Sequence, residues 1–192
     1  MKVGALILAA GLGRRMGGPS KLTADLHGKP VVAHVVDAVT AAGLGPPLVV
    51  LGDRADEVRA AVGERTATFV VAADYAEGMS ASLRAGLAAA PAEWDAVLVL
   101  LGDMPLVQPA TLSALGAALL SPQAVVIPEY DGQRGNPVGW GRDHWPALVA
   151  LTGDTGARSL IPRIGVTFVP VDDPGILADV DTPEALAALR DR

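Results

Sequence analysis

The chain has 192 residues, 51% hydrophobic, 19% charged and 4% aromatic, with no cysteine and a formal net charge of −6. That length fits one compact domain, residues 1–192, able to bury roughly 70% of its unfolded surface without disulfides or a structural metal, and the lack of cysteine excludes thiolate metal sites and cysteine nucleophiles. The net negative charge argues against a general nucleic-acid or anionic-membrane surface, which a phosphate field would repel, so a small-molecule partner is expected.

Lys2 before the apolar run Val3–Ala10 has the look of a secretory signal, but Arg14 and Arg15 follow within a Gly-rich turn and no stop-transfer segment appears; a buried strand is the expected reading. No apolar run reaches the roughly 18 residues needed to span a membrane, and a soluble cytoplasmic protein is expected. Short apolar runs then alternate with amphipathic segments, the pattern of βα units around a mostly parallel sheet covered on both faces, a three-layer α/β/α Rossmann-like fold. The predicted strands are Val3–Ala9, Leu48–Leu51, Thr68–Ala72, Ala96–Leu101, Ala124–Pro128 and Val166–Val171.

Between them, Pro30 suits the first turn of a helix carrying Val31, Val32, Val35, Val36 and Val39 inward, with Gly43 stopping it. Asp53 is the expected cap of a helix over Arg54–Val62 ended by Gly63. Pro109 opens a helix through Leu112, Leu115 and Leu119, and Thr182–Pro183 opens the last one, with Leu186 and Leu189 inward. Glu129–Gly141 and Gly153–Ala157, rich in Gly and charge, read as long functional loops set into the sheet. No repeat or long linker interrupts the pattern.

The strongest local signal runs from Leu8 to Lys21, L-A-A-G-L-G-R-R-M-G-G-P-S-K, directly after the first strand. Glycines let backbone N–H groups approach a phosphate chain and Arg15 and Lys21 supply countercharge, so the loop is suited to an anion; a flexible connection with solvated arginines is the plainer alternative. It is neither a Rossmann fingerprint, because Gly17 falls one residue late, nor a Walker loop, because Leu22 follows Lys21. Asp103, in L-G-D-M-P, emerges from a buried strand where open α/β sheets bind ligands, which suits a metal on a triphosphate or, more plainly, a helix cap. Asp179-Val180-Asp181-Thr182-Pro183-Glu184 offers a second acid cluster, in which Asp181 either caps the last helix or pairs with Asp103 as a metal ligand.

Gly78-Met79-Ser80-Ala81-Ser82 brings small residues and hydroxyls into a helix, suited to a ribose or base edge or simply to a helix N-terminus. The loops at 132–137 and 153–158 carry Arg134, Gly135, Asn136, Asp154 and Arg158 and look like the acceptor side. His27, His34 and His144 lack ligand spacing and read as structural. Trp94, Trp140 and Trp145 are too scattered for a stacking platform, and Ser80 and Ser82 have no base and orienter arranged for hydrolysis.

In order and wording, L-A-A-G-L-G-R-R-M-G-G-P-S-K, G-M-S-A-S-L, L-G-D-M-P, G-Q-R-G-N-P, G-D-T-G-A-R and D-V-D-T-P-E resemble the sugar-nucleotide-type nucleotidyltransferases. Among these they resemble most the molybdenum cofactor cytidylyltransferases and their MobA-like relatives, from Val3 to Leu189. The resemblance implies that Leu8, Ala9, Ala10, Gly11, Gly13, Arg14, Arg15 and Lys21 wrap a nucleoside triphosphate, with Arg15, Lys21 and Asp103 catalytic. It implies that Ala10, Gly11, Gly78, Ser80 and Ser82 read the base, and that Asp103 and Asp181 hold Mg²⁺, Asp179 being the rival for the second place. Arg134, Gly135, Asn136, Asp154 and Arg158 would receive a phosphorylated pterin, the molybdenum cofactor, with a molybdoenzyme as candidate client.

L-A-A-G goes with cytidine in that family, so Ala10 favours CTP, its methyl narrowing the space above the glycine turn. Val180 and Ala185 stand where relatives often have Ile and Asp. The implied reaction is attack of the acceptor phosphate on the α-phosphorus with loss of pyrophosphate. The alternatives are guanylyl transfer, a different phosphorylated acceptor, a noncatalytic cofactor chaperone, and a nicotinamide oxidoreductase, which needs stricter glycine spacing and an acid closing the second strand.

Overall fold

The computed structural model describes residues 1–11, 20–154 and 156–190. In chain order these form β1 (Val3–Ala9), the short strands β2 (Asp25–Leu26) and β3 (Lys29–Pro30), α1 (Val31–Ala41), β4 (Leu48–Leu51), α2 (Ala55–Val62), β5 (Thr68–Val71), α3 (Met79–Ala89), β6 (Ala96–Leu101) and α4 (Pro109–Ala118). Then come β7 (Val125–Tyr130), β8 (Gln133–Arg134), β9 (Val138–Gly141), α5 (Trp145–Val149), a 3-10 stretch over Ala157–Arg163, β10 (Thr167–Pro170), a 3-10 turn over Pro174–Leu177 and α6 (Pro183–Arg190). Among the described residues no helix is long and apolar enough to cross a membrane.

The main sheet runs β10-β7-β9-β6-β1-β4-β5, with β8 on β7. β1, β4, β5 and β6 are mutually parallel, and β10 is parallel to β7. One face is covered by α1, α2 and α4 through Val32, Val36, Val39, Val58, Val62, Leu112 and Leu115. The other is covered by α3 and α5 through Leu83, Leu87, Trp145 and Leu148. With both faces buried, strands such as β1 and β6 must be apolar at every position, as parallel strands between helix layers are. The chain runs from β1 outward to β4 and β5 and then crosses to β6 on the other side of β1. The carboxyl ends of β1 and β6 therefore flank the point where strand order reverses, the place where open α/β sheets leave a crevice.

Three expectations change. Glu129–Gly141 is not a long loop: β7 runs on to Tyr130, pairs with β8, and β9 inserts antiparallel between β6 and β7. β9 hides in the sequence because it holds two glycines, and Gly139 has a reason to be one: a Cβ there would lie 2.5 Å from Val126 Cγ2 and 2.9 Å from Leu98 Cδ2. Asp53 does not cap α2, because Arg54 takes a left-handed conformation at φ 56° and no side chain caps the helix. The expected strands at 68–72, 124–128 and 166–171 lie at 68–71, 125–130 and 167–170.

Candidate active site

Backbone bonds set the position of Lys21. The first two N–H groups of α1, Val31 and Val32, donate to the carbonyls of Ala24 and Leu22, filling helix-end donors that would otherwise lack partners. Leu22 is buried against Gly102 at the end of β6, so the residue before it is carried to the crevice. Asp103 is placed just as firmly: Gly102 N–H donates to the Leu8 carbonyl, and the Asp103 carbonyl accepts from Val180 N–H at 2.9 Å. Val180 is fully buried with Leu26, Val31, Leu186 and Leu189, so α6 packing presses the 179–181 segment against Asp103.

The result brings together residues 160 positions apart. Lys21 Nζ donates to Asp103 Oδ2 and, at 2.7 Å, to Asp181 Oδ1. Neither acid is a helix cap. The α6 N-terminus is capped by Thr182, whose hydroxyl accepts from Ala185 N–H at 3.2 Å, and no side chain caps α4. The Lys21 and Asp103 side chains are only 18% and 15% exposed, so the pair is far less screened than a surface ion pair. Burial by itself lowers the Lys21 pKa, and the Asp103 and Asp181 carboxylates override it, holding the ammonium above its ordinary range. Asp179 goes the other way: burial and the negative charges of Asp181 and Asp103 raise its carboxyl above the usual range.

The donor set suits a hard divalent cation. Asp103 Oδ1 is buried with no hydrogen-bond partner among the described residues, and carboxylate oxygens are the ligands Mg²⁺ favours. Among the described residues no group of three or more His, Asp or Glu side chains is poised for a metal. Two carboxylates would therefore have to share the ion with oxygens of a ligand, as Mg²⁺ sites on phosphates do.

On the nucleotide side, Leu8 and Ala9 end β1, and Gly11 is exposed at the crevice. Gly13, Arg14 and Arg15 lie outside the described residues. Ala10 is 2% exposed, and a Cβ at Gly52 would lie 2.7 Å from its methyl. That methyl lies against Gly52 at the ends of β1 and β4, and the glycine turn that it is expected to narrow lies outside the described residues. Gly78, at φ 116°, precedes α3. Ser80 and Ser82 are buried, and the Ser80 hydroxyl donates to the Gly153 carbonyl at 2.7 Å.

Beside the residues expected to receive an acceptor, a cavity of about 410 Å³ is lined by Leu8, Leu101, Leu83, Trp140, Asn136 and Arg158 among others. Its floor is β1, β6 and β9 and one wall is α3. Gly135 N–H donates to the Pro128 carbonyl and Asn136 N–H to the Ile176 carbonyl, fixing the 134–136 turn at the end of the inserted strand. Burial and the nearby Arg134 guanidinium lower the Arg158 pKa, so two cations share this rim. Asp154 lies apart from them, beside Gly78.

His27, His34 and His144 bond to the carbonyls of Leu189, Leu26 and Gln123, which makes them structural as expected. Sequence reasoning missed Asp173. It is 1% exposed and accepts from Gln108 N–H, the Thr111 hydroxyl and Gly175 N–H, joining α4 to the 3-10 turn after β10. An acid just before Pro-Gly was the available signal. Trp140, fully buried on β9, lines the cavity, a place that its spacing from the other tryptophans does not signal.

Comparison with known proteins agrees with this geometry. The MobA-like NTP transferase domain family matches residues 5–176. The bifunctional protein GlmU of Brucella anthropi is 34% identical over 168 residues, 84% of this chain and 36% of the relative. The chain thus spans about a third of the length of the curated relatives it matches. Rv0371c of Mycobacterium tuberculosis superposes with a TM-score of 0.89 at 29% identity, over 100% of this chain and 98% of that one, and has also been solved with manganese. A nucleotidyl transferase from Methanothermobacter thermautotroptrophicus superposes with a TM-score of 0.87 at 28% identity, over 99% and 96% of the two chains. Strand ends, crevice and charged residues lie within the matched span or directly beside it, and the chain belongs to the MobA-like NTP transferase domain family of nucleotidyltransferases.

Proposed function

We propose that the protein transfers CMP from CTP to the terminal phosphate of a phosphorylated pterin, the molybdenum cofactor, and releases pyrophosphate. The observation that carries nucleotidyl transfer is the Lys21 ammonium held between Asp103 and Asp181 at the strand-order reversal. Cytidine rests on the L-A-A-G motif that ends in Ala10 and Gly11. The pterin rests on the motifs at 132–137 and 153–158 and on the cavity beside them, whose apolar walls suit a ring body and whose Arg158 suits its phosphate.

Lys21 gives two of its three ammonium hydrogens to the acids, which leaves a third donor for a β- or γ-phosphate oxygen. Lys21, with Arg15, then neutralises charge that grows on departing pyrophosphate, and this interaction strengthens in the transition state. Asp103 and Asp181 would hold Mg²⁺, which when bound lowers the cost of bringing two phosphates together; the manganese complex of Rv0371c supports a divalent ion.

Arg134, Arg158 and Asn136 orient the acceptor phosphate. With a second pKa near 6 it is mostly dianionic at neutral pH, so it needs positioning more than a general base. Its oxygen bonds to the α-phosphorus as the bond to pyrophosphate breaks, with no covalent enzyme intermediate.

Pyrophosphate release from each of the common NTPs with Mg²⁺, with and without molybdenum cofactor, tests the proposal. Release that requires both CTP and the cofactor is the expected result. Release with GTP in preference would convert it to guanylyl transfer. No release with any NTP while the cofactor still binds would make the protein a noncatalytic carrier.

A further inference from the structure

Residues 78–80 meet residues 153–156 at three successive positions. A Cβ at Gly78 would lie 2.5 Å from Asp154 Oδ1 and 2.6 Å from the Gly153 carbonyl carbon, and one at Gly156 would lie 3.2 Å from Met79 Sδ. Ser80, 1% exposed, gives both of its donors to one acceptor: its N–H reaches the Gly153 carbonyl at 3.2 Å and its hydroxyl at 2.7 Å. That carbonyl therefore occupies the N-terminal turn of α3, where helix N–H groups lack partners of their own.

The polar groups of Ser80 are thus spent inside the protein, across a gap of 73 residues. Gly153 and Asp154 precede the 3-10 stretch that begins at Ala157, and Arg158 and Ser159 of that stretch line the cavity. The start of α3 and the residues just before that wall are therefore joined by a buried hydroxyl.

We propose that Ser80 is a positioning residue that couples the two substrate sites: it latches the 153–158 segment onto the start of α3, so that nucleotide bound at Gly78–Ser82 steadies the wall that carries Arg158. This rests on the assignment of those segments under Proposed function. The alanine variant is mild, because the Ser80 N–H remains to pair the Gly153 carbonyl.

The test is hydrogen exchange by mass spectrometry over residues 151–163 in the full chain, for wild type, Ser80→Ala and Ser80→Thr, alone and with α,β-methylene CTP and Mg²⁺. Nucleotide affinity is measured in parallel by calorimetry. Without nucleotide, Ser80→Ala should exchange about tenfold faster in this segment than wild type, and Ser80→Thr, which keeps the hydroxyl, should not. With nucleotide, wild type and Ser80→Thr should slow further. Ser80→Ala, at nucleotide concentrations that calorimetry shows to be saturating, should show no such slowing.

Equal exchange in wild type and Ser80→Ala without nucleotide would overturn the latch. So would a loss of nucleotide affinity in Ser80→Ala with normal slowing once the site is saturated, since Ser80 would then be a nucleotide contact. A wild type that binds no nucleotide would defeat the proposed function and the coupling, while the nucleotide-free comparison would still show whether the joint exists.

Discussion

On the β1–β6 side of the crevice opposite charges are in contact, whereas on the 134–158 side the charge that acts on Arg158 is another cation, Arg134. Lys21 is fixed by Asp103, just past the end of β6, and by Asp181, just before α6. Arg134 and Arg158 have no ion pair among the described residues, and burial together with the Arg134 charge lowers the Arg158 pKa. The first side is carried by parallel strands, the second by an inserted antiparallel strand and the turns around it. A cluster of opposite charges in contact holds its geometry before any ligand arrives, while a pair of like charges is completed by an anion. The first side should therefore govern rate, and the second affinity for the acceptor.

The change that cuts deepest into the first side is Asp103→Asn. It removes one of the two carboxylate charges and nothing from the core, so turnover should fall on the order of a thousandfold, about 4 kcal/mol of transition-state stabilisation. Tm should move by no more than about 3 °C. A variant with near wild-type rate at saturating Mg²⁺ would remove Asp103 from the chemistry. Lys21→Ala should be next, with kcat down about a hundredfold and KM for the triphosphate raised; a change confined to acceptor KM would place Lys21 on the wrong side.

Arg158→Ala should show the opposite pattern to both. Acceptor KM should rise about tenfold while nucleotide KM holds, the signature of a lost binding contact. Because it also relieves repulsion with Arg134, thermal stability should not fall. An unchanged acceptor KM with a raised nucleotide KM would reverse the assignment of the two sides.

The smallest effect belongs to Asp179. An acid whose pKa is raised in the folded chain holds its proton more tightly there than when unfolded, so its ionisation costs stability at neutral pH, and that cost disappears as pH falls through the raised value. Asp179→Asn cannot ionise and should melt slightly higher than wild type at pH 7, with the gap closing in acid. A gap that widens as pH falls would contradict the sign of the shift.

The same contrast explains what the sequence made legible. β1, β4 and β6 were read to the residue because strands buried on both faces leave no polar position to blur their ends. β9 was unreadable because close packing on Val126 and Leu98 demands glycine at position 139, and glycine reads as loop. Asp103 and Asp181 stood out as acids beside strand and helix boundaries, but local spacing allowed each to be a cap. Only tertiary contact shows Thr182 capping α6 while Asp181 turns to Lys21. The link from Ser80 to Gly153 left no trace in either local segment, since both look complete alone.

The most direct test of the central claim is the fate of the two ends of CTP, labelled at the α-phosphorus in one sample and at the γ-phosphorus in another and incubated with wild type, Mg²⁺ and molybdenum cofactor. Nucleotidyl transfer predicts the α label in a pterin dinucleotide and the γ label in pyrophosphate, in equal amounts. An α label recovered only as free CMP, or a γ label recovered on the pterin, would contradict it.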